Sequence, residues 1–261
     1  MPAQNNHNWP SRSSGSRDSP LIKDARYSKL ILRNDATRSR YTGSGGSRLV
    51  LGLDYGTTFT AVAFGFDHET FQDIRLITNW PGGYSSEGVV PSQIAYGGQE
   101  TWEAWGYDIP LREARHIWTK RLLDADRIPQ ELHPSSGLNQ PEFEEGRPTS
   151  PMKEPKRIVQ DYLSAVKNCV FCHLEMYFGE TFSNLLAVDV VVTVPALWSD
   201  KAKELIYQAV RGSGFSRGGG KLMIVTEPEA AATYIIKATE SEFGGNFFKV
   251  MFLFQPLSSI S

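Results

Sequence analysis

Residues 49–66 read LVLGLDYGTTFTAVAFGF. Asp54 interrupts an apolar run, Gly56-Thr57-Thr58 turns the chain, and a second, alternating apolar run follows. A tight turn of small residues between two strands leaves backbone N–H groups pointing outward. The hydroxyls of Thr57 and Thr58 add donors, so the turn can cradle anionic oxygens. An aspartate at the strand end would repel such a guest unless a divalent cation stood between them. That pattern suits Mg²⁺, an ion that keeps most of its waters. The same residues also read as a plain hairpin whose turn begins on an aspartate, and the segment alone leaves both readings open.

Two better-known phosphate patterns fail nearby. Gly220-Lys221 lacks the glycine five residues earlier and has Leu222 where a P-loop needs Ser or Thr, while Gly212-x-Gly214 is followed by Arg217 where a dinucleotide fingerprint needs glycine. That segment reads as a helix-to-strand turn, where glycine supplies positive φ. CVFCH, residues 169–173, matches the spacing of covalent c-type haem attachment. It lies within a helical pattern, however, and Cys169 and Cys172 read as small buried hydrophobes, with His173 on the helix surface. Lys120, beside Arg121, reads as a solvated charge at a helix end. Glu227 follows a strand and precedes Pro228, where a helix N-terminus favours a carboxylate.

Such residues need a scaffold. With 261 residues, 40% of them hydrophobic, the chain can bury one large core or two modest ones. A net charge of −2 and an isoelectric point near 6.2 give no general case for nucleic acid or an anionic membrane. No run of about 18 apolar residues is present and the N-terminus lacks a secretory h-region, so the expected location is the cytoplasm, with the nucleus open. Two cysteines fit a reducing compartment. Residues 1–47, rich in Ser, Arg, Asn and Gly, read as a disordered basic tail.

From Leu49 the pattern is β: strands over 49–54, 59–66, 73–78 and 92–96, separated by turn-forming clusters. A helix is expected over about 108–124, with Leu111, Ala114, Ile117, Trp118 and Leu122 on one face. The prolines of 133–156 mark a loop. Ile158, Tyr162, Leu163, Val166, Val170, Leu174 and Tyr177 form the stripe of a long helix over 157–178. VDVVVTV (188–194) is a β-branched run of the kind found in strands covered on both faces of a parallel sheet. A helix over 199–211, a buried strand over 222–226 and a helix opening at Pro228 complete an α/β pattern.

VLGLDYGTTFTAVAFGF, VVPSQIAY (89–96), VVVTVPALWSDKAKELIYQAV (190–210) and IVTEPEAAATYI (224–235) occur in the order and approximate spacing of heat shock protein 70 nucleotide-binding domains. The resemblance covers about 49–240 and implies an actin-like ATPase fold of two lobes, each with an RNase-H-like sheet, using ATP and Mg²⁺. Under it Asp54 is the metal-side aspartate, holding Mg²⁺ through water. Gly56, Thr57 and Thr58 contact phosphate, Lys120 reaches the γ-phosphate and attacking water, Glu227 joins the metal-water network and Pro195 is the switch proline. Lys203 replaces the usual interlobe arginine. Leu197-Trp198 and Thr226 depart from the standard chaperones and resemble divergent heat-shock-70-like proteins common in fungi.

The resemblance divides the chain into the tail 1–47, a first lobe over 48–240 and a truncated or divergent segment over 241–261. The second, Asp-Gly-Gly-Gly phosphate loop and second lobe are missing from this sequence. The expected function is an ATP-binding, chaperone-like ATPase, inactive as this fragment, with nucleotide as ligand, unidentified clients or co-chaperones, and neither nucleic acid nor membrane as partner. A catalytically inactive regulatory module is the alternative. A sugar-kinase-like phosphotransferase fits VTVPALW and TEPEAAA less well.

Overall fold

In the computed structural model, which describes residues 48–67, 73–83, 88–97, 102–124, 153–179, 182 and 187–243, alternation decides which side of the main sheet is covered. Strand β1 (Leu49–Tyr55) buries Leu49, Leu51, Leu53 and Tyr55 and leaves Gly52 and Asp54 exposed. It pairs antiparallel with β2 (Phe59–Phe66), from Leu49 opposite Phe66 to Tyr55 opposite Thr60. The hairpin turn needs its glycine: Gly56 donates to the Phe59 carbonyl at 3.0 Å, and a Cβ at Gly56 would stand 2.3 Å from that oxygen.

Two short strands, β3 (Arg75–Leu76) and β4 (Val90–Pro91), pair antiparallel with β2. A small second sheet joins β5 (Ile94–Tyr96) to β6 (Trp102–Trp105). On the other side of β1, β7 (Val188–Val194) runs parallel to it and β8 (Leu222–Thr226) runs parallel to β7. The main sheet therefore has the order β3-β2-β1-β7-β8, antiparallel on one flank and parallel on the other.

A four-residue helix α1 (Thr119–Leu122) precedes the long α2 (Pro155–Phe178). Pro155 at the start of α2 forgoes a hydrogen bond that the first turn could not make anyway. Of the expected stripe, Ile158, Tyr162, Leu163, Val166, Val170 and Leu174 are at most 2% exposed, and Tyr177 is half-buried. The stripe lies on the covered face, where Tyr162 meets Tyr55 and Phe178 meets Phe64 and Phe66. Cys169 and Cys172 are buried on this helix as thiols. α3 (Asp200–Ser213) packs beside α2 and makes the crossover that two parallel strands require. Ser199 caps it by accepting from the Ala202 amide at 3.2 Å, and Gly214, at φ 79°, ends it. α4 (Glu227–Phe243) follows β8 directly.

Several expectations are corrected. The stretch 108–124 is not one helix. A 3₁₀ turn at Gly106–Asp108 gives way to irregular chain, and only α1 is helical. Pro110 forces Ile109 into extended backbone (ψ 121°), and His116 exchanges backbone bonds with Ile94 at 2.8 and 3.2 Å. Leu111, expected on the apolar face, is 94% exposed. The strand over 73–78 contracts to β3, β6 was not expected, and β8 is half-exposed because it lies at the sheet edge. His173, expected on the helix surface, is half-buried. It meets the Phe64 ring edge-on at 6.4 Å, and burial lowers its pKa. The tail, most of the 133–156 loop and the segment after Phe243 lie outside the described residues. No helix among the described residues is long and apolar enough to cross a membrane.

Candidate functional site

Parallel strands deliver their carboxyl ends to one edge, and in sheets of this kind ligands gather there. The register from Leu53 opposite Val192 sets Asp54 beside Thr193, whose hydroxyl donates to Asp54 Oδ1 at 2.8 Å. Val194 pairs with Thr226, so Pro195 and Glu227 leave their strands side by side. Gly56, Thr57 and Thr58 turn at the same edge, and the Thr58 carbonyl accepts from the Ser92 amide at 2.8 Å. Thr57 is half-buried and Thr58 exposed.

Lys120 reaches this edge from the covered side. Its helix is tied to β1 by a hydrogen bond between Tyr55 Oη and Thr119 Oγ1 at 2.5 Å. Burial of that phenol raises its pKa, and the Thr119 contact only partly offsets this, so Tyr55 stays neutral. At the far end Asp124 accepts from Ser199 Oγ at 2.5 Å, joining α1 to the cap of α3. Between these ties Lys120, 4% exposed, donates from Nζ to Glu227 Oε1 at 2.8 Å. Its Nζ also stands 5.7 Å from the centre of the Trp198 ring. A buried lysine paired with an exposed glutamate replaces the solvated charge that the Lys-Arg dipeptide alone suggested.

Glu227 is aimed by its own helix start. The Thr226 amide and hydroxyl both donate to Glu229 Oε2 at 2.8 Å, and the Glu229 amide donates back to Thr226 Oγ1 at 3.4 Å. This reciprocal cap holds the Glu229 carboxyl below its usual range, the Thr226 amide contributing most. The structure thus joins Asp54 to Thr193 and Lys120 to Glu227 at one edge. No hydrogen bond among the described residues links the two pairs. Lys203 turns instead to Asp200 on its own helix, at 3.6 Å.

Sequence reasoning missed Thr193, Thr119, Tyr55 and Trp198 as parts of the site. The alternation of β7 could have placed Thr193 on the Asp54 face, but nothing in the sequence pairs Tyr55 with Thr119. No three His, Cys, Asp or Glu residues among those described are close enough to cage a metal. The oxygen donors Asp54 and Glu227 suit a hard cation held mainly through water.

The fold and edge together define an α/β lobe with a mixed sheet, flanking helices and carboxylates, hydroxyls and a lysine gathered at the strand ends. No family model matches the chain. It is similar to Heat shock 70 kDa protein 12A of Homo sapiens, 27% identical over 202 residues that span 72% of this chain and 28% of that protein. The Mus musculus protein of the same name matches to the same extent. Heat shock 70 kDa protein 12B of Homo sapiens is 26% identical over 216 residues, again 72% of this chain and 28% of that protein. These matches support a heat-shock-70-like relation, and the chain spans little more than a quarter of the relatives' length.

Proposed function

We propose that the described residues form the first lobe of an actin-like, ATP-binding unit, with the β1–β2 turn receiving the phosphates. The carrying observation is the Lys120–Glu227 ion pair, 2.8 Å long and set at the same carboxyl edge of the parallel strands as Asp54, with β7 between them. The order β3-β2-β1-β7-β8 supports an RNase-H-like reading of the sheet. The backbone N–H groups and hydroxyls of Thr57 and Thr58 bind phosphate oxygens, while Gly56, whose amide is used by the Phe59 carbonyl, shapes the turn that presents them. The Lys120 ammonium offsets charge on the transferred group, and Glu227 orients water, the division of labour that phosphoryl transfer needs. Asp54, exposed and oriented by Thr193, and Glu227 are the carboxylates that would hold Mg²⁺. When bound, the ion neutralises phosphate charge.

Phosphorus NMR of ATP and Mg²⁺ titrated with the full chain tests the reading. The β- and γ-phosphorus signals should broaden, and Asp54→Ala and Thr57→Val/Thr58→Val should each abolish the effect. Broadening that persists in both variants, or none in the unmodified chain at millimolar nucleotide, rejects the site.

A further inference from the structure

Lys120 is a costly residue to bury, because an ammonium leaves water only where partners replace its hydration. Its side chain is 5% exposed, while that of Glu227, its ionic partner, is 46% exposed. Glu227 can therefore turn towards water or a ligand, and Lys120 cannot follow without leaving its packed position. What remains beside Nζ is the indole of Trp198, 5.7 Å away at the ring centre and within the range over which a π face attracts a cation. The indole also packs against the core cluster. Its backbone amide donates to the Pro195 carbonyl at 3.2 Å, closing the turn after β7. The next residue, Ser199, is gripped by Asp124 from the end of α1. The contact that anchors the lysine's helix therefore also fixes the ring beside its ammonium.

We propose that Trp198 is a positioning residue for Lys120. Its ring keeps the ammonium at the carboxyl edge of the sheet whenever Glu227 turns away. An aromatic face suits this task better than a second carboxylate would, because it attracts the ammonium without neutralising it. The full positive charge stays available to an incoming phosphate. The proposal rests on the reading of Lys120 given above as a phosphate-facing residue.

The test measures how fast Lys120 is acetylated by an N-hydroxysuccinimide ester, read by mass spectrometry on the folded full chain without nucleotide. Trp198→Met fills the space without a π face, and Trp198→Phe keeps one. Acetylation of Lys120 should rise about threefold to tenfold in Trp198→Met and stay within about twofold of the unmodified chain in Trp198→Phe. The difference should widen in a Glu227→Gln background, where the ring is the remaining partner. Trp198→Leu against Trp198→Tyr repeats the comparison if either first variant melts early. Equal rates in the aromatic and aliphatic variants overturn the proposal, since packing alone would then hold the lysine. A separate arm adds ATP and Mg²⁺ to the unmodified chain. Failure of nucleotide to protect Lys120 there counts against the phosphate reading, while the nucleotide-free comparison still decides whether the ring positions the lysine.

Discussion

The Lys120–Glu227 pair is asymmetric in burial, and its two halves should respond unequally to mutation. Removing the exposed partner, Glu227→Gln, strands a buried ammonium and should cost about 1–2 kcal/mol, discounted from the fully buried case because water reaches one side. Lys120→Met keeps the aliphatic stem and frees a carboxylate that can hydrate, so it should be near neutral or stabilising. Urea denaturation of both variants checks this, and a larger loss for Lys120→Met would contradict the burial argument. Gly56 invites a sharper test. A methyl group there meets backbone rather than a yielding side chain, so Gly56→Ala should destabilise by about 1–3 kcal/mol, seen in the same denaturation series.

Among the strands, β7 carries the register on which the site depends, and its start is held by a clamp at the opposite end of the sheet. Asp189, 6% exposed, accepts from Arg48 Nε at 2.7 Å, from the second Arg48 nitrogen, and from the Lys221 backbone amide. The residue before β1, the start of β7 and the residue before β8 are thereby joined through one carboxylate. The Arg48 hydrogen bonds, followed by the Lys221 amide, hold the Asp189 carboxyl below its ordinary value of 3.8. A folded-state pKa below the unfolded one contributes stability that is present above pH 3.8 and lost as pH falls through the folded value. Asp189→Asn should lower the melting temperature at pH 7 and flatten its decline below pH 4, a comparison available from melts across that range.

For the chain as a unit, two half-buried histidines set a second, milder acid transition. His116 lies edge-on to Tyr96 at 5.4 Å, and burial, then the charge of Lys153, lowers its pKa from 6.5. His173 is lowered by burial alone. Both fold as neutral rings, so their contribution is present above pH 6.5 and is lost as pH falls from there through the folded values. A melting temperature that declines from pH 6.5 towards 5, and declines less in His116→Gln/His173→Gln, is the expected result.

Local chemistry made much of this legible from the amino acids. The Gly56-Thr57-Thr58 turn, the stripe of α2, the β-branched run of β7 and the start of α4 at Pro228 each follow from steric and hydrophobic rules acting within a few residues. The segment 108–124 was misread because its apolar spacing suited a helix, while Pro110 and the bridge from Ile94 to His116 favoured another path. Proline acts locally, but the partner strand lies some twenty residues away and leaves no mark on the periodicity. The pairings that make the edge chemical are also long-range: Asp54 with Thr193, Tyr55 with Thr119, and Lys120 with Glu227. Residue types and alternation determine which side chains can point towards a strand end. Which of them meet there depends on the order and register in which the sheet assembles, because a parallel sheet joins segments far apart in sequence by their backbones before any side chain finds its partner.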